Sequence, residues 1–278
     1  MISTYTAALL ADIAILGLGA LSVYVILSTG QLSLGNGAFM GIGAYISSVL
    51  TVSFGVPITL ALILAALATG IIGVVVGFPA LRLKGIYLAM ATLGFGEMVR
   101  SFFLNLPYTG GSGGFHGMQL VSVAYMWAWA GGLVVLVALL EGSRFWLKLR
   151  AVHDDEAAAN LLGLDITALK VGAFGVGAAI AAISGGLFAH HHLYIEPGNF
   201  GFERSIELVI AVILGGSTVA PGALVGGAIV VLLPEYLRFL AQWRLAAFGT
   251  LLVLVLLTRR QGLIDRPLLQ WLTPWARA

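Results

Sequence analysis

Ser112 and His116 come closest to a catalytic pattern in this sequence. Ser112 is the centre of a G-x-S-x-G pentapeptide, 110–114, a motif that presents a nucleophilic serine when it joins a strand to a helix. No strand-like run precedes this pentapeptide, and no helical run follows it directly. Four glycines in five residues indicate a flexible loop. We therefore predict no catalytic residue and a protein that is not an enzyme.

Three consecutive histidines, His190 to His192, come closest with Glu196 to a metal-site pattern. Consecutive residues on a helix point about 100° apart, so one ion cannot easily bind all three rings. The chain has no cysteine, which excludes thiolate ligands and disulfides. It also lacks G-x-x-x-x-G-K-[ST], so it does not bind ATP through a P-loop. We expect an interfacial histidine cluster, no metal and no cofactor.

Asp12, Glu97 and Glu207 lie within apolar runs, where a charge is costly unless it faces a cavity or a partner. Arg100 follows Glu97 by three residues and Glu207 follows Arg204 by three, so each pair shares a helix face. These groups suit a polar outer vestibule in which a solute arrives. Ion pairs between helices, or interfacial residues, would produce the same pattern.

Two apolar segments, 34–54 and 85–104, are unusually rich in glycine and each carries polar residues. Broken helices expose backbone dipoles that accommodate polar or charged groups in a cavity. We therefore predict that a solute passes near these segments. The predicted pathway residues are Asn36, Thr92, Glu97 and Glu207.

The elements that position these residues follow from composition. The chain is 60% hydrophobic and 9% charged, and its mean hydropathy is +1.03. Soluble domains carry roughly 25% charged residues. A soluble globule is therefore excluded, and an all-α membrane protein is expected. The net charge of +2 reflects basic residues between apolar runs, so we expect a lipid bilayer and no nucleic acid.

We predict about nine spans, because a bilayer core of ~30 Å needs about 20 apolar residues as helix. The candidates are 7–28, 34–54, 56–78, 85–104, 121–141, 171–193, 201–216, 221–240 and 243–258. With nine spans, ten of the fourteen basic residues fall on one side. The positive-inside rule then places the N-terminus outside and the C-terminus inside. Glycine pairs four residues apart predict close helix packing: Gly37 and Gly41, Gly73 and Gly77, Gly222 and Gly226.

The longest polar stretch is residues 142–170, which we expect to be a cytoplasmic loop within a single transmembrane domain, 1–278. Asp154 or Asp155 can cap a short helix, and Gly163 can end it. Asp165 or Thr167 can cap the following span. A helix of about two turns is marginal alone in water. Its acidic start disfavours an anionic lipid surface, so we expect it to dock on a protein.

Within this loop, Glu156-Ala157-Ala158, followed by Gly163, resembles the EAA coupling motif of ABC importer permeases. Further stretches resemble the branched-chain amino acid permeases, specifically the second of their two paralogous membrane subunits. They are GQLSLG at 30–35, GIGAY at 41–45, GIYLAMATL at 85–93, TGGS at 109–112, ERSIE at 203–207, LGG at 214–216 and RQGL at 260–263. The segment 217–220 and the three histidines depart from that pattern.

The resemblance implies an ABC importer permease that moves branched-chain amino acids across a bacterial inner membrane by alternating access. Its implied partners are ABC ATP-binding subunits, a second homologous permease subunit and a periplasmic solute-binding protein. The implied ATPase-coupling residues are Arg150, Asp154, Asp155, Glu156, Ala157 and Gly163. Two alternatives remain open: a permease for urea or short amides, and a secondary transporter or channel independent of ATPase subunits. Whether the two permeases are identical also remains open.

Overall fold

Ten α-helices account for most of the residues that the computed structural model describes, which are 4–80, 83, 85–237 and 249. They are α1 Thr4–Leu27, α2 Asn36–Ser53, α3 Ile58–Ala80, α4 Ile86–Leu104, α5 Val123–Glu141, α6 Arg144–Asp154, α7 Glu156–Leu161, α8 Ile166–His192, α9 Phe202–Gly215 and α10 Ala220–Tyr236. Two short strands, β1 Phe115–His116 and β2 Tyr194–Ile195, pair antiparallel. Helices dominate because lipid offers no partners to backbone N–H and C=O groups.

The helix α8 forms the centre of the bundle and packs on α1, α2 and α3. Glycine permits the closest of these contacts. A Cβ atom at Gly185 of α8 would overlap the carbonyl oxygen of Met40 on α2, and one at Gly43 of α2 would overlap the backbone of Ala182 on α8. Small residues allow helix backbones to approach where the hydrophobic effect does not drive association.

The glycine pairs predicted from the sequence also lie at close helix contacts. On α3, Gly73 faces Ala178 and Gly77 faces Phe174, both on α8. On α10, a Cβ atom at Gly226 would overlap the backbone of α9. The prediction of close packing at these positions is confirmed, because each lacks room for a larger side chain.

The bundle has two ends, which we name by their contents. At the coupling end, the ring of His153 on α6 lies 3.0 Å from the carbonyl oxygen of Leu27 at the end of α1. At the histidine end, His190 near the end of α8 contacts Thr51 of α2 at 3.0 Å. The helix α1 therefore begins at the opposite end from loop 142–170, as the predicted topology requires. Which end faces the cytoplasm stays a prediction.

The predicted count of nine spans is not confirmed. Among the described residues, four helices are long and apolar enough to cross a membrane: α1, α3, α5 and α8. Segments 197–215 and 220–236 are long and apolar enough only when taken together, and the chain bends by 118° between them. They count as a fifth candidate span if the pair forms one broken element. The helix α9 has 14 residues, about 21 Å, so it cannot cross a ~30 Å core alone. Apart from Gly249, the predicted span 243–258 lies outside the described residues.

Polar residues explain why the glycine-rich segments do not meet the same test. The helix α2 begins at Asn36, and α4 contains Glu97 and Arg100. The segment before α2 is not helical, yet its polar residues Gln31 and Ser33 are buried. Irregular backbone at membrane depth is tolerated where protein surrounds it. This segment lies between the first two predicted spans, and both glycine-rich helices are continuous, so a break within 34–54 or 85–104 is not confirmed.

Candidate functional site

The loop 142–170 folds into α6, α7 and the start of α8, and local caps define each boundary. Ser143 caps α6 and Asp165 caps α8. The Oδ1 atom of Asp155 accepts hydrogen bonds from the backbone N–H groups of Ala157 at 2.8 Å and Ala158 at 3.0 Å. Asp154, the other capping candidate, is the last residue of α6. An aspartate at this position satisfies N–H groups that the first helical turn leaves unpaired.

Gly163 ends α7 as the sequence predicted. Its φ of 77° is in the left-handed region that favours glycine. The N–H of Gly163 donates to the carbonyl of Asn160, and the N–H of Leu164 donates to that of Ala159. This pair of bonds is the Schellman arrangement. The chain therefore turns sharply after six helical residues and re-enters the bundle as α8.

The tip of α7 exposes apolar side chains. Leu161 is 90% exposed and Leu162 is 77% exposed, and Ala157 and Ala158 on the same helix are also exposed. Two adjacent exposed leucines on a short helix at a polar end of the bundle are an unpartnered surface. The sequence prediction did not include these leucines, although their position after the EAA run was a usable signal.

Glu156 and Arg150, two predicted coupling residues, contact the rest of the bundle. Glu156 forms an ion pair with Lys170 on α8. The guanidinium of Arg150 donates to the carbonyl oxygen of Thr218, in the turn between α9 and α10, at 3.4 Å. Lys170 was missed from the sequence because its partner lies fourteen residues away, across the α7 turn. Both predicted residues therefore connect α6 and α7 to membrane helices.

A second connection runs from α6 through α1 to α5 and α10. The ring of Trp146 on α6 stacks on Tyr24 of α1, with centroids 5.7 Å apart. The hydroxyl of Tyr24 donates to the carboxylate of Glu141, at the end of α5, at 2.7 Å. The same carboxylate accepts from the N–H of Ala220, the first residue of α10, at 2.6 Å. Glu141 thus joins three helices at the coupling end.

Two of the predicted pathway residues, Asn36 and Thr92, lie at the non-helical segment that precedes α2. The N–H of Leu34 donates to the hydroxyl of Thr92 at 2.9 Å, which fixes the break before α2 against α4. Asn36 is fully buried and its Nδ2 donates to the hydroxyl of Ser22 at 2.9 Å. Its Oδ1 has no hydrogen-bond partner within the described part of the chain. This buried polar group belongs to the first residue of α2, next to the non-helical segment that precedes the helix.

The other two predicted pathway residues, Glu97 and Glu207, lie apart from the non-helical segment that precedes α2. The two pairs that the sequence placed on one helix face are in contact: Arg100 contacts Glu97 at 3.1 Å, and Arg204 contacts Glu207 at 2.9 Å. Glu207 lines a cavity of about 240 Å³ at the histidine end, and Glu97 does not. The ionisable groups of this cavity are Asp12, His192, Arg204 and Glu207.

The residues considered for catalysis and metal binding have other surroundings. Ser112 lies in the second of two short 3-10 turns, Pro107–Thr109 and Gly111–Gly113, which precede a strand. A nucleophile elbow has the opposite order, with a strand before and a helix after. His192 lies 3.7 Å from Asp12, and across the described ranges no group of three potential ligands could hold a metal ion.

Comparison with known families identifies the class of this bundle. The family described as the branched-chain amino acid transport system permease component matches residues 5–258. The chain belongs to this family. The resemblance predicted from the EAA run and the glycine-rich motifs is confirmed, and so is the predicted function at the level of the family, which is transport through a membrane permease. The chain is a multi-pass membrane protein of a permease family and not of an enzyme family.

Several curated proteins are similar to this chain. It is 34% identical to the high-affinity branched-chain amino acid transport system permease protein LivM of Escherichia coli over 289 residues, which cover 90% of this chain and 67% of that protein. It is 32% identical to LivH of the same organism over 139 residues, which cover 49% and 44%. A probable LivM of Methanocaldococcus jannaschii is 26% identical over 246 residues, which cover 76% and 69%. No solved structure matches this chain significantly.

Proposed function

We propose that this chain is the membrane-spanning subunit of an ATP-driven ABC importer, and that it moves leucine, isoleucine and valine across the bacterial inner membrane by alternating access. One observation carries the proposal: α7 is capped, short and connected to the bundle, yet exposes Leu161 and Leu162 to the outside. An isolated two-turn helix does not hold itself together in water. A shaped apolar tip of this kind suits a groove on another protein.

The proposed occupant of that surface is an ABC ATP-binding subunit. Lipid is the less suitable neighbour because the approach to the tip is acidic: Asp154, Asp155 and Glu156 precede it. Anionic headgroups repel such a segment. The sequence contains no P-loop of its own, so the ATPase activity belongs to separate chains. Of the two predicted contact residues on α7, Ala157 is exposed, whereas Glu156 is half-buried and pairs with Lys170.

A second permease subunit and a periplasmic solute-binding protein complete the proposed assembly. LivM and LivH of Escherichia coli carry the same system name, and both are similar to this chain. Their existence as a pair supports a paralogous partner. One face of α3 supplies an apolar surface for that partner or for lipid. Its exposed side chains are Leu67, Ile71, Val75 and Phe78.

The mechanism follows from the two connections at the coupling end. A displacement of α7 acts on α8 through the ion pair of Glu156 with Lys170. A displacement of α6 acts on α1, α5 and α10 through Trp146, Tyr24 and Glu141. Tightly packed helices move as units between discrete arrangements. Closure of the ATPase subunits is therefore expected to change the bundle's outward and inward openings together.

Purification of the chain from its native membrane in detergent tests this proposal. We expect one or two P-loop ATPase subunits to accompany the chain. Leu161→Asp should abolish their recovery, because it places a charge at the apolar tip, whereas the matched variant Leu161→Met should retain it. Transport of leucine in ATP-free vesicles by the chain alone would instead indicate a secondary transporter or channel.

A further inference from the structure

The cavity of about 240 Å³ at the histidine end contains charged groups of both signs beside an apolar wall. Its lining comes from four helices: Asp12, Ile15 and Leu16 of α1, Phe188 and His192 of α8, Arg204 and Glu207 of α9, and Val230 and Val231 of α10. We infer that this cavity binds one zwitterionic amino acid with a branched apolar side chain during translocation. The inference rests on the proposed function and assigns its solute site.

Arg204 provides the group that recognises a carboxylate. Its guanidinium contacts Glu207 at 2.9 Å and the carbonyl oxygen of Asn199 at 3.4 Å, and it lies 5.2 Å from the ring centroid of Phe188. A guanidinium has five N–H donors in a rigid fork. Glu207 and Asn199 leave donors for a second carboxylate, which guanidinium binds in a bidentate geometry. The contact with Phe188 holds the guanidinium plane in place.

Two carboxylates provide the groups that recognise an ammonium. Glu207 lies beside Arg204, and Asp12 lies 3.7 Å from Nε2 of His192. The His192 ring stacks on Phe188 with centroids 4.1 Å apart, so His192 and Arg204 adjoin the same aromatic ring. Charges of opposite sign in one cavity match a molecule that carries both an ammonium and a carboxylate.

The remainder of the lining suits an aliphatic side chain. Ile15 and Leu16 lie on α1, and Val230 and Val231 lie on α10. The volume equals about eight water molecules at ~30 Å³ each, which is the scale of a small amino acid. Urea is uncharged and has no aliphatic group, so it would use neither the charged groups nor the aliphatic wall of this cavity. For leucine, burial of the aliphatic side chain against this wall contributes favourable free energy of binding.

Three of the four lining helices are the ones that α6 and α7 reach. The ion pair of Lys170 acts on α8, Tyr24 belongs to α1, and Ala220 begins α10. A displacement of α6 and α7 therefore changes the separation of Arg204 on α9 from the groups on α1 and α8. This relation supplies the alternation between binding and release that a solute site in an importer requires.

Leucine binding to the whole purified transporter, in detergent and without its solute-binding protein, tests the inference. Competition of radiolabelled leucine with leucinamide, which lacks the carboxylate, and with isocaproate, which lacks the ammonium, separates the two recognition groups. We expect wild type to prefer leucine to both analogues. Arg204→Gln should weaken leucine binding about tenfold or more and remove the preference over leucinamide. Glu207→Gln and Asp12→Asn should reduce the preference over isocaproate.

The matched control is Glu203→Gln, which removes an exposed carboxylate from the same helix outside the cavity. It should bind leucine like wild type. Leu16→Trp should fill the cavity and abolish binding while ATPase subunits still accompany the chain. If Arg204→Gln retains the preference for leucine over leucinamide, or if wild type binds no leucine, the cavity inference is wrong. Normal recovery of ATPase subunits in either case would leave the proposed function standing.

Discussion

Lys170 of α8 forms an ion pair with Glu156, the first residue of α7. Lys170 is only 7% exposed, and its helix is the central element of the bundle. A nearly buried ammonium is stable while its partner is present, and removal of one partner leaves an uncompensated charge. The pair therefore connects the exposed tip of α7 firmly to the packed centre.

Reversal of this pair should distinguish a connection within the chain from a contact with another subunit. We expect Glu156→Lys and Lys170→Glu each to lower ATP-driven leucine uptake about tenfold or more in reconstituted vesicles, because each places like charges together. The double variant should recover a large part of the activity. Lys148→Glu, which reverses an exposed lysine on α6, serves as the control and should have a small effect. A double variant no better than either single one would show that the pair does not carry the coupling.

Tyr24→Phe should loosen the junction of α1, α5 and α10. The substitution removes the hydroxyl that donates to Glu141 at 2.7 Å, and a hydrogen bond to a charged group contributes about 1.5–3 kcal/mol. We expect a lower unfolding temperature in detergent and slower uptake. Tyr87→Phe is the matched control, because Tyr87 is 68% exposed and its hydroxyl should contribute little. Equal unfolding temperatures for the two variants would contradict this role of Tyr24.

Gly163→Ala should weaken coupling through the backbone alone. The residue has φ 77°, and nothing lies within 4 Å of an added Cβ atom, so steric overlap is not involved. A non-glycine residue costs about 1–2 kcal/mol in this region, whereas asparagine tolerates it. We expect Gly163→Ala and Gly163→Leu to lower uptake per ATP hydrolysed to a similar extent. Gly163→Asn should remain close to wild type. A variant series ordered by side-chain size would indicate a steric cause instead.

Gly185→Ala should destabilise the bundle, because the added methyl group would overlap the backbone of α2 at Met40. Overpacking of this kind typically costs about 1–3 kcal/mol. Gly172→Ala provides a control on the same helix, since its added methyl group meets nothing within 4 Å. The stability of both variants is measured by thermal unfolding in detergent, monitored as loss of the monodisperse peak in gel filtration. Indistinguishable unfolding curves would rule out the close α2–α8 contact.

The local features of loop 142–170 were predictable from the sequence. Asp155 caps α7 and Asp165 caps α8; each was one of the two candidates that the sequence offered for that cap. Gly163 ends α7, as the sequence predicted. Capping and left-handed turns involve residues within four positions of each other, so a short stretch of sequence contains their full cause. The pairs of Glu97 with Arg100 and Arg204 with Glu207 were predictable for the same reason.

The number of membrane spans was not predictable in the same way. Hydropathy marks 201–216 and 221–240 as apolar, and both are helical over most of their length. Yet α9 is too short to cross the bilayer alone and meets α10 at a sharp bend. A window of apolar residues specifies burial, and the same burial is available in lipid or against other helices. Packing in the bundle decides which of the two occurs.

The sequence alone determined the membrane environment, the helical class, the caps within loop 142–170 and membership of the branched-chain amino acid permease family. Those properties depend on composition, on short-range periodicity or on motifs read along the chain. Only the tertiary structure decided that Tyr24 reaches Glu141, that Lys170 pairs with Glu156, and that Asp12 and Arg204 share one cavity. These contacts join helices distant in the chain, and helix packing, which no local pattern encodes, sets which side chains meet.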